Sequence, residues 1–417
     1  MKAKDADPKA ETNPAEDRGE SIARMEPVII SDSSRHRADL ADLAFILGTE
    51  TAAFKSSLPQ AIVTALADLV RSMNCYYSNL IEGHDTHPVD IDRALKQDYS
   101  TDPRKRDLQL EARAHITVQK WIDEGGLKDK PVSLESIRAI HSRFCNLLPP
   151  DMLWVEDPDT GQKYPLVPGE LRNRDVKIGR HVAVSPGSVP RFLARLETAC
   201  TKLGKVDAVL AAAAAHHRLL WIHPFMDGNG RVARLMTHAM LLDALDTGSL
   251  WSVARGLARQ EAQYKARLAA CDLDRRNDLD GRGMLSEEEL ANFTRFFLET
   301  CLDQVRFMSQ LTAPGKLHAR ILTWAGEEVR TGTLPPQAGA VLEAILYRGE
   351  LPRGEIAGLL GKTDRHARRI TSALLKAGVL TSDNDRAPLC LAFPASLADR
   401  WMPGLFPEQA SDQALGR

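Results

Sequence analysis

Apolar residues recur along most of this chain at the three-and-four spacing of helices. Ile62, Leu66, Leu69, Val70, Met73 and Tyr77 mark one helix face, and Gly83 stops that helix. His87-Pro88 opens a short helix carrying Val89, Ile91 and Leu95. Residues 107–123 and 133–147 are amphipathic, and Val206–Ile222 and Leu235–Leu245 are apolar enough for buried helices. Helical patterning continues to Thr312, with a break at residues 274–285. Two stretches depart from it. Residues 148–170 are rich in Pro, Asp and Gly and predict an irregular loop. In 172–190 the period changes to two, with Val176, Ile178, Val182 and Val184 alternating around Gly179-Arg180, which predicts a β-hairpin. Residues 1–26 have no apolar period and predict a disordered tail.

Near the C-terminus the pattern changes again. Gly354–Leu360 predicts a short helix, 361–363 a turn, 364–377 a second helix with Ile370, Leu374 and Leu375 inward, and 378–393 two strands. That is a winged helix–turn–helix pattern. Residues 351–380 hold six cations against two acids, and Arg365, His366, Arg368 and Arg369 cluster where a recognition helix meets DNA. DNA and protein remain alternative partners for this module, which reads as a separate folding unit.

Composition narrows the class. The chain has 417 residues, 43% hydrophobic and 26% charged, with formal net charge −2. That allows two or three soluble domains and demands neither nucleic acid nor membrane of the whole chain. The six cysteines form no Cys-x-x-Cys pair, which argues against zinc and disulfides and suits a reducing cytoplasm. No signal peptide or membrane span is expected.

The chemistry concentrates in His223-Pro224-Phe225-Met226-Asp227-Gly228-Asn229-Gly230-Arg231-Val232-Ala233-Arg234. Gly228-Asn229-Gly230 is a tight turn that opens into a helix, so unpaired backbone N–H groups and positive potential meet there. Arg231 and Arg234 share one helix face and suit phosphate oxygens. Asp227 suits Mg²⁺, which takes one or two carboxylates plus substrate phosphates. His223 is placed to accept a hydroxyl proton. Together these parts describe phosphoryl or nucleotidyl transfer. Two other segments mislead. Asn277–Gly283 looks like a calcium loop, but its first ligand position would be Arg276, and Ser286 with Glu289 makes a capping box instead. Gly361-Lys362-Thr363 lacks the upstream glycine of a P-loop.

The segment 223–234 resembles the signature of the Fic/Doc family at every fixed position. Ser78-Asn79-Leu80-Ile81-Glu82-Gly83 resembles that family's inhibitory motif, placed here before the core. The resemblance implies a mainly α fold: a helical Fic core at about 100–312 with a β-hairpin flap. Around it lie a tail at 1–26, an N-terminal helical segment with the inhibitory helix at 27–99, a linker helix at 313–334, the winged helix at 335–404 and a tail at 405–417. It implies a protein adenylyltransferase that moves AMP from ATP to a Ser, Thr or Tyr hydroxyl of target proteins and of itself. His223 is then the base, Asp227 the Mg²⁺ ligand, and Gly228, Asn229 and Gly230 the α-phosphate cradle. Arg231 and Arg234 take the β- and γ-phosphates, and Glu82 pairs with Arg234 to block the γ-phosphate, with Ser78 in the same motif. The flap, Val176, Lys177, Ile178 and Gly179, docks the target as an added strand. Removal of AMP by the same site, a regulator acting through DNA, and a homodimer stay open.

Overall fold

The computed structural model describes residues 16–128, 130–157 and 161–407. Its fold is mainly helical, with three small antiparallel sheets. The N-terminal helices are α1 Arg37–Ser56, α2 Gln60–Ile81, α3 Pro88–Leu95, α4 Pro103–Asp123 and α5 Leu134–Cys145. Two hairpins follow, β1 Trp154–Glu156 with β2 Lys163–Pro165, and β3 Lys177–Ile178 with β4 His181–Val182. The centre comprises α6 Val189–Ala199, α7 Lys205–Ile222, α8 Asn229–Leu245, α9 Val253–Arg259, α10 Glu261–Ala270 and α11 Glu287–Leu311. After α12 Pro314–Thr331 come α13 Ala338–Arg348, β5 Glu350–Leu351, α14 Ile356–Leu360, α15 Asp364–Lys376, β6 Leu380–Thr381, β7 Leu389–Leu391 and α16 Ala398–Trp401.

The core is built around α7, which packs against α1, α6, α8 and α11. Its run Ala211–Ala215 is fully buried. Alanine favours helix and lets backbones approach closely, so one helix can be surrounded. Several helices start at side-chain caps that the sequence supplies. Asp102 accepts from the Arg104 and Lys105 N–H groups, Ser133 from Ser136, and Ser286 from Glu289. The calcium-like loop is spent structurally: Asp280 accepts from Ser286, the Glu288 N–H and the Arg276 N–H. Among the described residues no helix is long and apolar enough to cross a membrane.

Three expectations need correction. Residues 148–170 contain the β1–β2 hairpin, with Val155 opposite Tyr164. Each strand has three residues with largely exposed side chains, so no apolar alternation betrays it. The predicted tail 1–26 is a docked strap over residues 16–26; residues 1–15 lie outside those described. Arg18 pairs with Asp175, Asp17 with Arg191 and Glu26 with Arg195, and Met25 is buried. Its alternating charges find partners 157 to 174 residues away, which no local pattern reveals. The predicted tail from 405 begins with Leu405 and Phe406 buried, and its residues 408–417 lie outside those described.

The C-terminal unit has a three-stranded sheet in the order β5-β7-β6 beside α13, α14 and α15. α13 and β5 are added to the elements expected there. The unit is packed against the helical body. β7 packs on α2. The Tyr77 hydroxyl donates to the Leu405 carbonyl at 3.0 Å, Phe406 meets Tyr76 edge-on at 5.7 Å, and Arg255 donates to the Gly404 carbonyl at 2.8 Å. Tyr76 and Tyr77 precede Ser78 on the helix that ends at Glu82, so this unit buttresses the helix carrying the proposed lock.

Candidate active site

α7 ends where His223 adopts left-handed backbone geometry (φ 52°, ψ 64°), uncommon for a non-glycine residue. Its N–H still reaches the Leu219 carbonyl at 2.9 Å. The His223 Nδ1 lies 3.3 Å from the Leu220 carbonyl. A carbonyl only accepts, so Nδ1 carries the proton and Nε2 is left as the acceptor. Burial depresses the imidazole to about 4, partly offset by that carbonyl and reinforced by the Arg172 charge. The ring is therefore neutral, and basic at Nε2, throughout the neutral range. This gives a pH prediction. In a variant freed of Glu82, the acid limb of kcat/KM should fall near pH 4, because only below that value does protonation remove the base. A limb near 6.5 would mean that the ring is not buried in the working enzyme.

After His223 the loop is held from inside. Phe225 is fully buried and stacks on His141, with centroids 4.0 Å apart and planes 3° apart. The Asn229 side chain accepts from the Phe225 N–H and donates to the Phe225 carbonyl, both at 2.9 Å. The amide of Asn229 therefore holds the loop. Gly228 takes φ 78°, turning the chain into α8 without a side-chain cap. The N–H groups of Asn229, Gly230 and Arg231 thus have no helical acceptor and make an anion niche. The Asp227 carboxylate is exposed at its rim.

Glu82 lies against this turn. Its Oε1 accepts from Arg234 Nη2 at 2.5 Å. A Cβ added to Gly230 would collide with Oε1 and lie 3.1 Å from Arg234 Nη1, so the carboxylate rests on the first turn of α8. Burial pushes the Glu82 carboxyl up, but the Arg234 charge and hydrogen bond prevail and hold it below the usual carboxylate range. Ser78 steadies the same arginine: Arg234 Nε donates to Ser78 Oγ at 2.8 Å, and Nη2 to the Ser78 carbonyl at 3.2 Å. The ends of α2 and α8 therefore meet through Ser78, Glu82 and Arg234.

Two contributors were not legible in the sequence. Glu111 on α4 accepts from Arg231 Nη2 at 3.0 Å and from His84 Nδ1 at 2.8 Å. The Arg231 Nε is buried and has no hydrogen-bond partner among the described residues, leaving a donor for a ligand. Beside Glu111 and His84 opens a cavity of about 580 Å³, also lined by Arg104, Asp107, Trp154 and Lys163. A larger groove of about 870 Å³ between α5, α6 and α8 touches neither His223 nor Glu82.

The second is Arg172. Its guanidinium, 2% exposed, donates to the carbonyls of His223 at 2.7 Å, Arg174 at 2.8 Å and Val184, and lies 3.4 Å from that of Ile222. Its own N–H reaches the Pro224 carbonyl at 2.9 Å. One side chain thus ties the flap's base to the histidine loop. The flap itself pairs Lys177 with Val182 and Ile178 with His181 around Gly179, whose φ of 59° opens the two-residue turn. Val176 lies at its base, joined to Ala183. Ile178 and Val182 are exposed, and among the described residues no third strand pairs with either edge.

The loop between α7 and α8 thus presents a neutral histidine beside backbone N–H groups suited to an anion. Residues 131–241 match the Fic/DOC family, and the chain carries a Fic/DOC domain. It is 28% identical over 171 residues to the protein adenylyltransferase Fic of Drosophila grimshawi, and equally to that of Drosophila virilis. The match covers 40% of this chain and 32% of each relative, so the chain spans about a third of the length of the curated relatives it matches. The fold is similar to the crystal structure of a Fic family protein from Desulfovibrio desulfuricans, with TM-score 0.51 and 17% identity over 87% of this chain and 98% of that one.

Proposed function

We propose that this protein transfers AMP from ATP to a hydroxyl of a protein substrate and that Glu82 holds the site shut. The observation that carries the reading is the Glu82 carboxylate on the first turn of α8, bonded to Arg234. A niche that takes a carboxylate there is equally suited to a phosphate. The name shared by the Drosophila relatives supports AMP as the transferred group.

The acceptor hydroxyl gives its proton to His223 Nε2, and its oxygen attacks the α-phosphorus. The bond from that phosphorus to the bridging oxygen breaks, and pyrophosphate leaves. The N–H groups of Asn229, Gly230 and Arg231 hold oxygens on which charge builds. Arg231 and Arg234 take the outer phosphates, and the cavity beside His84 receives the nucleoside. The flap aligns the acceptor segment along a free strand edge. Asp227 would hold Mg²⁺, which neutralises charge on the phosphates. The residues fit such an ion. Among the described residues no three His, Cys, Asp or Glu side chains converge into a protein cage, whereas Mg²⁺ needs only one or two carboxylates when phosphates and water complete its shell.

The test is incubation with ATP labelled at either the α- or the γ-phosphate. Label retained in protein from the α-position alone is expected. Retention from the γ-position would make the protein a phosphotransferase.

Arg172→Ala gives a further check. It should lower kcat at least tenfold with KM for ATP little changed, because the loop that aims His223 loses its clamp. Free guanidinium should restore part of the rate, a rescue that general destabilisation would not allow. An unchanged kcat would remove Arg172 from the account.

A further inference from the structure

The outward face of α15 carries charge that nothing in the proposed transfer reaction uses. Along this helix Ala367, Ile370, Thr371 and Leu374 are buried, and Arg365, Arg368, Arg369, Ser372 and Lys376 are exposed on the opposite side. Positions 365, 368, 369, 372 and 376 follow the helical repeat, so they form one stripe. Lys362 is exposed in the turn just before it. The unit pairs other charges internally, Arg348 with Glu355 for example. Among the described residues the five cations of the stripe and turn have no ion-pair partner. With six cations against two acids over residues 351–380, a chain of net −2 concentrates positive charge here. The helix packs mainly against α13, α14 and β6.

We propose that this face docks on double-stranded DNA, with α15 in the major groove. A helix about 10–12 Å across matches a groove about 12 Å wide. The five cations match phosphates on both sides of the groove. The alternatives fit less well. The exposed stripe has no aromatic or aliphatic anchor of the kind protein interfaces centre on. The deep, narrow major groove of duplex RNA does not admit a helix.

The experiment uses the full chain and a fluorescent mixed-sequence DNA duplex, with anisotropy read from 50 to 200 mM salt. With about four phosphate contacts, affinity should fall roughly a hundredfold over that range. Arg365→Ala/Arg369→Ala should weaken binding at 50 mM at least tenfold and flatten the salt dependence by about two contacts. Lys120→Ala/Lys265→Ala, which removes equal charge from α4 and α10, should bind as wild type. All four positions are exposed, and matched thermal melts verify folding. No binding at 50 mM salt would overturn the proposal and leave a protein as the partner of this face. Equal losses in both double variants would overturn it too, since net charge and not this face would then be responsible.

Discussion

Replacing His223 with alanine should lower AMP transfer by about 10²–10⁴-fold, the usual contribution of a positioned general base, while ATP affinity and fold persist. The separation follows from the loop's construction. Its shape is set by the buried Phe225, by the Asn229 clip on Phe225 and by Arg172 on the backbone carbonyls. None of these uses the imidazole, whose one hydrogen bond among the described residues goes to Leu220. The anion niche is made of backbone N–H groups and likewise survives. Labelling from α-labelled ATP, measured beside a thermal melt and an ATP titration, separates the effects. Near-wild-type labelling in a folded variant would remove His223 from the chemistry. Lost ATP binding would mean that the side chain builds the niche.

Glu82→Gly should raise labelling at least tenfold. Glu82 Oε1 and Arg234 Nη2 are 2.5 Å apart, and the arginine side chain is only 2% exposed. Two anions cannot share the first turn of α8, so an outer phosphate must displace this carboxylate to reach Arg234. Each ~1.4 kcal/mol of pairing released corresponds to about tenfold in the competent population. Arg234→Ala removes the lock and a phosphate contact together, so it should not mimic the activation. The pH dependence has a definite sign. Because Glu82 is held below the usual carboxylate range, the pairing is fully present above that range. It weakens only as the pH falls through the depressed value, so the lock stays closed through neutrality. Equal labelling by wild type and Glu82→Gly would remove the inhibitory reading. A similar gain in Arg234→Ala would shift the inhibition away from this pair.

Much of this arrangement was readable in advance, for a physical reason. His223 to Arg234 lie within twelve consecutive residues because a helix end, a turn and a helix start form a local structure. The flap was readable because a period of two around Gly179 differs from the surrounding helical repeat. Gly83 and the apolar stripe before it marked the end of α2. What escaped was long-range pairing. Arg172 sits 51 residues before His223, and Glu111 sits 120 before Arg231. Neither belongs to a local pattern, and a lone arginine or glutamate reads as a solvated charge until the fold buries it. The strap at 16–26 and the seat of Phe406 escaped for the same reason. Asn229 shows a subtler limit: its place at the helix start was clear, but its clip on Phe225 was not.

The proposed lock requires that Glu82 occupy the space an outer phosphate needs. Calorimetric titration of ATP and of AMP into His223→Ala and into His223→Ala/Glu82→Gly tests it most directly, since neither variant should turn over ATP. Removing the carboxylate should tighten ATP at least tenfold and leave AMP affinity unchanged, because AMP has no outer phosphate to compete. Equal ATP affinity in the two variants would contradict the claim.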